Sequence, residues 1–376
     1  MEVMIIAGEA SGDAHAAELI TELRRRFPAL HFFGCGGERM AAAGCELLVH
    51  DRELAVMGLV EVVRHLPRLR RLLAKLKAAL RERRPQGVIL VDFPDFNLRL
   101  AAAAHELKIP VAYFISPQLW AWRSGRVKQI QRYVKRMICI FPFEEEFYER
   151  HGVQVAAVGH PLVERVARWR AEHPVARDDR TVAVLPGSRQ REVEMHLPVL
   201  TEAMQRLQAT HGCKFVLPVA PHVSVESIRA MVPEGVQLLP GNEMYTALAQ
   251  ARMALVASGT ATVETALLGV PMVVFYKLAP LSFQLGRRLV HTEHVAMVNL
   301  IAERGVVPEL IQGAFSAAAI TDWATRLLGD GPERQVQLDG LAEVRARLGP
   351  PGAISRAADA VAGALGLCGH VGLAST

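Results

Sequence analysis

Carboxylates gather in two short segments of this chain. Gly8-Glu9-Ala10-Ser11-Gly12-Asp13 lies between an apolar run and a helical pattern, and Val91-Asp92-Phe93-Pro94-Asp95-Phe96-Asn97 follows the strongest apolar run of the first half. Acids at the carboxyl end of a strand can accept a proton from a bound hydroxyl. The first segment is not G-x-G-x-x-G, and its two acids would repel a pyrophosphate, so Glu9 and Asp13 read as acceptors for a hydroxyl-bearing substrate. The plainer alternative is turn chemistry and helix capping there, and in the second segment a proline turn with Asp95 or Asn97 capping the helix that follows.

Two other segments suit phosphate. Leu185-Pro186-Gly187-Ser188-Arg189 offers backbone donors, a hydroxyl and a guanidinium at the tip of a strand–turn–helix. In Ser258-Gly259-Thr260-Ala261-Thr262-Val263-Glu264, small residues and hydroxyls let a diphosphate approach a helix N-terminus, and Glu264, one turn inside, can reach ribose hydroxyls. A plain small-residue turn is the alternative. Ser116-Pro117-Gln118-Leu119-Trp120-Ala121-Trp122 runs into Arg123, Arg126 and Lys128, a mixture of aromatics and cations that suits a sugar ring or acyl chain ending in a phosphate. Leu59, Val62, Val63, Leu66, Leu69, Leu73, Leu76 and Leu80 keep helical spacing with Arg and Lys interleaved and Pro67 as a kink or restart. Such a stripe can lie in an anionic head-group layer, through Leu66, Leu69, Leu73 and Leu76, or it packs on a sheet as an ordinary surface helix.

The elements that must position these groups alternate. Val3–Ala7, His31–Cys35, Gly87–Asp92, Val111–Ile115, Met137–Ile140 and Gln154–Val158 read as strands, with helical patterns between most of them. The pattern lapses at Ala171–Arg180 and restarts with Thr181–Leu185, Lys214–Val219, Val236–Leu239, Met253–Ala257 and Pro271–Phe275. From Ser316 onward only helical patterns occur. The fold class is therefore α/β, with two doubly wound parallel-sheet domains expected over 1–172 and 173–345 and a C-terminal helix and tail over 346–376 that can return to the first domain. Ligands bind at the carboxyl ends of such sheets, so a cleft is expected where the two domains face each other.

A chain of 376 residues, 51% hydrophobic and 22% charged, is long enough for two cores and too apolar for disorder. Residues 1–176 carry 26 basic against 20 acidic residues, while residues 177–376 carry 17 against 18. Arg64–Arg84 alone holds nine cations and one acid, and such a cluster attracts phosphates. Nucleic acid is not the expected partner, because the remainder is near neutral and aromatic content is 6%. Five cysteines without a C-x-x-C pair fit buried thiols in a reduced compartment. His291-Thr-Glu-His294 and Cys368-Gly-His370 have poor ligand spacing, and no metal site is expected. Neither a secretion signal nor a membrane-spanning stretch is read, which places the chain in the cytoplasm.

In their order and spacing, G-E-A-S-G-D, D-F-P-D-F-N, S-P-Q-L-W-A-W, G-H-P-L at Gly159–Leu162, L-P-G-S-R, S-G-T-A-T-V-E, F-Y-K at Phe275–Lys277 and P-E-L-I-Q at Pro308–Gln312 closely resemble the lipid-A-disaccharide synthase family, glycosyltransferases of the GT-B fold with two Rossmann-like domains. The resemblance implies inverting transfer of 2,3-diacylglucosamine from its UDP derivative to 2,3-diacylglucosamine 1-phosphate, without cofactor or metal. It implies Asp95 as the base, with Asp92, Glu9 and Asp13 in reserve. The UDP-sugar would meet Gly187, Ser188, Arg189, Ser258, Gly259, Thr260, Ala261, Thr262, Glu264, Asn299 and Gln312, and the acceptor would meet Ser11, Asn97, Trp120, Trp122, Arg123 and Arg126. Lipid substrates add a peripheral station on the inner membrane, at an anionic surface. A homodimer stays open, as do a GT-B-like UDP-sugar 2-epimerase and a non-catalytic nucleotide-sugar or membrane-binding module.

Overall fold

The computed structural model describes residues 1–54, 59–117, 124–221, 223–278 and 293–367, side chains of 59–66 and 124 excepted. It divides into two compact units, 1–161 with 350–376, and 162–349. The expected boundary at 172 falls one helix later than this division, because the helix Pro161–Glu172 groups with the second unit.

The first unit is built on seven parallel strands: β1 (Glu2–Ala7), β2 (His31–Gly36), β3 (Cys45–His50), β4 (Gly87–Val91), β5 (Val111–Phe114), β6 (Arg136–Cys139) and β7 (Val155–Ala157), in the order β3-β2-β1-β4-β5-β6-β7. Side chains alternate between faces along a strand, and a parallel sheet buries both. Met4, Ile6, Val88 and Leu90 accordingly enter one core, while Val3, Ile5, Ala7, Ile89 and Val91 enter the other. The second core is covered by the helix Ala10–Arg26 and by the C-terminal helix Ala353–Leu365, whose Ala357, Ala358, Val361 and Leu365 pack into it. Arg26 fastens the two helices, pairing with Asp359 and donating to the Ser355 hydroxyl at 2.7 Å.

The first core is covered by the helices Leu59–Arg83 and Pro94–Glu106. Here the membrane reading of the leucine stripe is corrected. Leu76 is fully buried, Leu72 and Leu80 are buried beside it, and Leu69 and Leu73 are packed against the same core. The stripe faces the sheet because both sheet faces demand cover, and water is left with Arg68, Arg70, Arg71, Lys75 and Arg81. Pro67 sits inside one continuous helix, and the Leu66 side chain is outside the described residues.

The second unit carries six parallel strands: β8 (Asp178–Leu185), β9 (Lys214–Val219), β10 (Gln237–Pro240), β11 (Ala251–Ala257), β12 (Met272–Tyr276) and β13 (Glu309–Ile311), in the order β10-β9-β8-β11-β12-β13. β3 and β13 were not read from the sequence. Both are edge strands, β3 mixing polar with apolar residues and β13 only three residues long, so neither shows the apolar run of an inner strand. Among the described residues no helix is long and apolar enough to cross a membrane, and Cys35, Cys45, Cys139 and Cys213 are buried free thiols.

Leu76→Ala should cost about 3 kcal/mol of stability in urea unfolding, since it empties a fully buried site. A variant as stable as the parent would return the stripe to the surface.

Candidate active site

In an open parallel sheet, ligands bind beyond the carboxyl ends of the strands where the strand order reverses. In the first unit that point lies between β1 and β4, since the chain leaves β1 toward β2 and β3 and returns on the other side. Ala7 stands opposite Val91, so Gly8-Glu9 and Asp92-Phe93 leave the sheet side by side. Gly8 has no substitute here: a Cβ would lie 2.6 Å from the Phe93 ring. Asp92 and Phe93 both adopt left-handed backbone, at φ 46° and 49°, a conformation that bulky residues hold only where their surroundings enforce it.

Asn97 supplies part of that enforcement. It is fully buried, and its amide donates to the carbonyls of Val91 at 3.2 Å and Asp92 at 2.8 Å. The Tyr113 hydroxyl donates to the Asp92 carbonyl from the other side at 2.5 Å. The half-buried Asp92 carboxyl is pushed up to about 6, first by loss of solvent and then by the neighbouring Glu9 carboxylate, against the Phe93 backbone N–H that favours its charge. Asp95, in the first turn of its helix, is exposed and pairs with Arg126. Another N–H group of Arg126, at Nη1, is buried without a partner among the described residues.

The corresponding point in the second unit lies between β8 and β11, where Leu185 stands opposite Val256. The L-P-G-S-R loop and the Ser258–Glu264 segment therefore emerge together. Ser188 and Arg189 are exposed, and Arg189 reaches Glu192 at 3.3 Å. Gly187 has φ 130° and Gly259 φ 155°, so both turns use backbone that side chains oppose. Thr260 and Ala261 open the helix Thr260–Leu267, leaving its first N–H groups directed beyond the strand ends. Glu264 accepts the Tyr245 hydroxyl at 2.7 Å.

A family model for lipid-A-disaccharide synthetase matches residues 3–356. The chain is 46% identical over 376 residues to the lipid-A-disaccharide synthase of Anaeromyxobacter dehalogenans, covering 97% of each. With that of Acidobacterium capsulatum it shares 45% over 372 residues, covering 93% of this chain and 92% of the relative. The chain belongs to the lipid-A-disaccharide synthase family. It is thereby a glycosyltransferase of lipid A biosynthesis. Among solved structures it resembles a UDP-GlcNAc 2-epimerase from Neisseria meningitidis (TM-score 0.66, 13% identity, 96% of this chain and 99% of that one). It also resembles CalG4, the calicheamicin glycosyltransferase (TM-score 0.61, 20% identity, 97% and 98%). These likenesses speak for the fold alone, which epimerases and glycosyltransferases share.

Within that family setting, several motif residues serve the backbone rather than a ligand. Asp13 is turned to backbone: its carboxylate accepts the N–H groups of Gly37 at 2.7 Å and of Arg39 and Met40 at 3.1 Å, capping the helix Glu38–Ala42. Asn97, fully buried, braces the Asp92 turn through its amide N–H groups. Thr262 is fully buried and its hydroxyl donates to Gly259 within its own turn at 2.8 Å. Asn299 is also buried. Its amide donates to the Val307 carbonyl and Glu309 carboxylate at 2.9 and 2.7 Å, and its oxygen accepts Val306 and Val307 N–H at 2.8 and 2.9 Å, so all its capacity is spent on the segment that leads into β13 and on the first residue of that strand. Gln312 is half-buried and donates to the Leu278 carbonyl at 3.3 Å. Glu9 and Ser11 are exposed at the strand end. Trp120, Trp122 and Arg123 lie outside the described residues, as do His291, Cys368 and His370.

One acid at this site escaped the sequence reading. Glu144, in the first turn of the helix Pro142–Arg150 after β6, is buried, and its carboxyl is pushed up to about 8, chiefly by burial and further by the charge of Asp92. It accepts the Phe141 N–H at 3.2 Å, and nearby the Ser116 hydroxyl meets the Tyr148 hydroxyl at 2.9 Å. In sequence Glu144 is one of three consecutive glutamates, and only tertiary burial separates it from Glu145 and Glu146.

Asn299→Ala should lower stability by about 3 kcal/mol in chemical denaturation, because it strands several buried backbone groups at once. A loss below about 1 kcal/mol accompanied by weakened UDP binding would return Asn299 to the nucleotide.

Proposed function

We propose that the chain transfers 2,3-diacylglucosamine from its UDP derivative to the 6-hydroxyl of 2,3-diacylglucosamine 1-phosphate, inverting the anomeric centre and releasing UDP. The observation that carries the mechanism is the Asp92 carboxyl at the β1–β4 switch point, held at about 6 by its half-buried setting. A base with that value is ionised at neutral pH yet still takes up a proton readily. Asp92 therefore replaces Asp95 as the proton acceptor in this reading. Asp95 is turned to solvent and paired with Arg126, whose partly exposed guanidinium suits the acceptor's phosphate or hydroxyls.

As the acceptor oxygen bonds to the anomeric carbon of the donor, its proton passes to the Asp92 carboxylate. The bond from that carbon to the UDP oxygen breaks with its electron pair leaving on UDP. Arg189, the backbone donors of Gly187 and Ser188, and the first turn at Thr260 and Ala261 stabilise the charge on the departing diphosphate, so no metal is called for. Ser258 and Gly259 let the phosphates approach, while Glu264, oriented by Tyr245, accepts ribose hydroxyls.

The acyl chains of both substrates come from a bilayer, and the proposed contact with it is electrostatic. Arg68, Arg70, Arg71 and Arg81 are exposed on the outer face of the helix Leu59–Arg83, whose apolar side is packed on the sheet. Anionic lipid attracts such a face without insertion.

In a UDP-release assay with both acylated substrates and excess chelator, the parent should turn over, and Asp92→Asn should fall at least about a hundredfold with UDP affinity retained. Parent activity should decline as pH drops through about 6, where Asp92 takes up its proton. Because the folded protein favours the protonated carboxyl, ionising Asp92 costs stability as pH rises from the ordinary carboxyl range through about 6, so Asp92→Asn should unfold no more easily than the parent at about pH 8. If Asp95→Asn is the inactive variant and Asp92→Asn is active, the base is Asp95.

Co-sedimentation with anionic vesicles should be abolished by about 0.5 M salt, since screened charge and no buried leucine makes the contact. Binding that survives such salt would require an apolar anchor.

A further inference from the structure

His196 lies in the second turn of the helix Gln190–His211 and is fully buried. Its Nδ1 is 2.7 Å from the Pro186 carbonyl oxygen, and its Nε2 is 3.1 Å from the Lys277 backbone nitrogen. A carbonyl only accepts and a backbone N–H only donates, so both contacts are satisfied by one form of the ring, the neutral tautomer with hydrogen on Nδ1. Phe275 and Phe315 meet the ring edge-on, with centroids 5.2 and 5.6 Å away, and fix its plane.

The two backbone atoms belong to places that the sheet cannot tie together. Pro186 begins the loop after β8, and Lys277 follows β12. β11 lies between those strands, so no ladder hydrogen bond joins them. The segment from Ser258 into the first turn of the helix Thr260–Leu267 emerges from β11 in that gap. The ring therefore spans a strand, and it does so just before Gly187, Ser188 and Arg189.

We infer that His196 is a positioning residue for the donor: its neutral ring sets the L-P-G-S-R loop against the end of β12 and so holds Gly187, Ser188 and Arg189 where the phosphate oxygens of a nucleoside diphosphate meet them. The inference rests on the donor role proposed for the second unit. Protonation would turn a second ring N–H toward the Lys277 N–H and break the span. Burial opposes that, holding the ring below the usual histidine value. The titratable groups facing it are Glu192 on its own helix and Tyr276 and Lys277 at the end of β12. Glu192 favours the protonated ring through its charge, and the charge of Lys277 opposes it.

Calorimetric titration of UDP into the parent, His196→Leu, His196→Asn, His196→Gln and Arg189→Ala tests the inference, together with steady-state kinetics. His196→Leu should weaken UDP about tenfold and raise the donor KM in step, with kcat falling as well because the same loop stabilises the departing diphosphate, and with the acceptor KM within about twofold. Asn keeps a donor where Nδ1 stood and Gln an acceptor where Nε2 stood, so each should recover part of the loss. As pH falls, the gap between parent and His196→Leu should close, a difference in which the titration of UDP itself cancels. If His196→Leu fails to fold, the Asn and Gln variants decide. UDP affinities equal to the parent in those variants, with Arg189→Ala weakened, would overturn the role of His196 alone. An acceptor KM damaged as much as the donor KM would mark general disorder of the fold and overturn it too. A parent that does not bind UDP would overturn the donor reading and this inference with it.

Discussion

Parallel pairing of β1 with β4 sets Ala7 opposite Val91, and from that register the geometry of the first site follows. Two chains that leave a sheet at adjacent points have little room, and the space is divided between a glycine and an aromatic ring. Gly8 yields the volume that Phe93 fills. Phe93 can lie there only because it and Asp92 accept left-handed backbone, a cost of about 1–3 kcal/mol for each such residue. Asn97 and Tyr113 hold the strained turn through the Val91 and Asp92 carbonyls. Relaxing the turn would leave those buried partners unsatisfied, so the strain persists and the Asp92 carboxyl stays at the strand ends.

The second unit solves the same problem with different residues. Its loops emerge between β8 and β11, and the segment around Ser258 stands between two places that must keep their spacing. Backbone hydrogen bonding reaches only neighbouring strands. His196 reaches past one strand to join Pro186 with Lys277, and Asn299 does comparable work before β13, gathering Val306, Val307 and Glu309. In the second unit His196 spends both ring nitrogens on backbone, and in the first Asn97 gives its amide N–H groups to two carbonyls; such buried polar side chains keep a ligand-facing loop in one conformation.

Desolvation links this bracing to chemistry. The packing that holds the Asp92 turn also removes water from its carboxyl, and the buried Glu144 in the helix after β6 is raised further still. Carboxyls kept near neutrality by burial reduce the stability of the fold at neutral pH, a cost that a residue needed only for packing would not impose. Asp13 is given to structure instead, with three backbone N–H groups converging on one buried side chain.

The sequence by itself determined the α/β class, the inner strands, the restart of the pattern in a second domain and the four segments that the sheets bring to their switch points. These are local properties: a strand buried on both faces must be an apolar run, and a turn at its carboxyl end must carry glycine and small residues wherever it is used. The edge strands β3 and β13 lack that signature and were invisible. Only tertiary structure decided which polar residues of the motifs face outward. Glu9, Ser11, Ser188 and Arg189 are exposed, whereas Asp13, Asn97 and Asn299 are turned inward to backbone groups of other turns and segments, and Thr262 to a carbonyl of its own turn. It likewise placed the Leu69–Leu80 stripe against the sheet rather than at the surface, and distinguished Glu144 from the glutamates beside it. The physical reason is common to all of them. Whether a polar or apolar side chain meets water depends on what lies opposite it in space, and chain order carries no record of that until the sheet has been assembled.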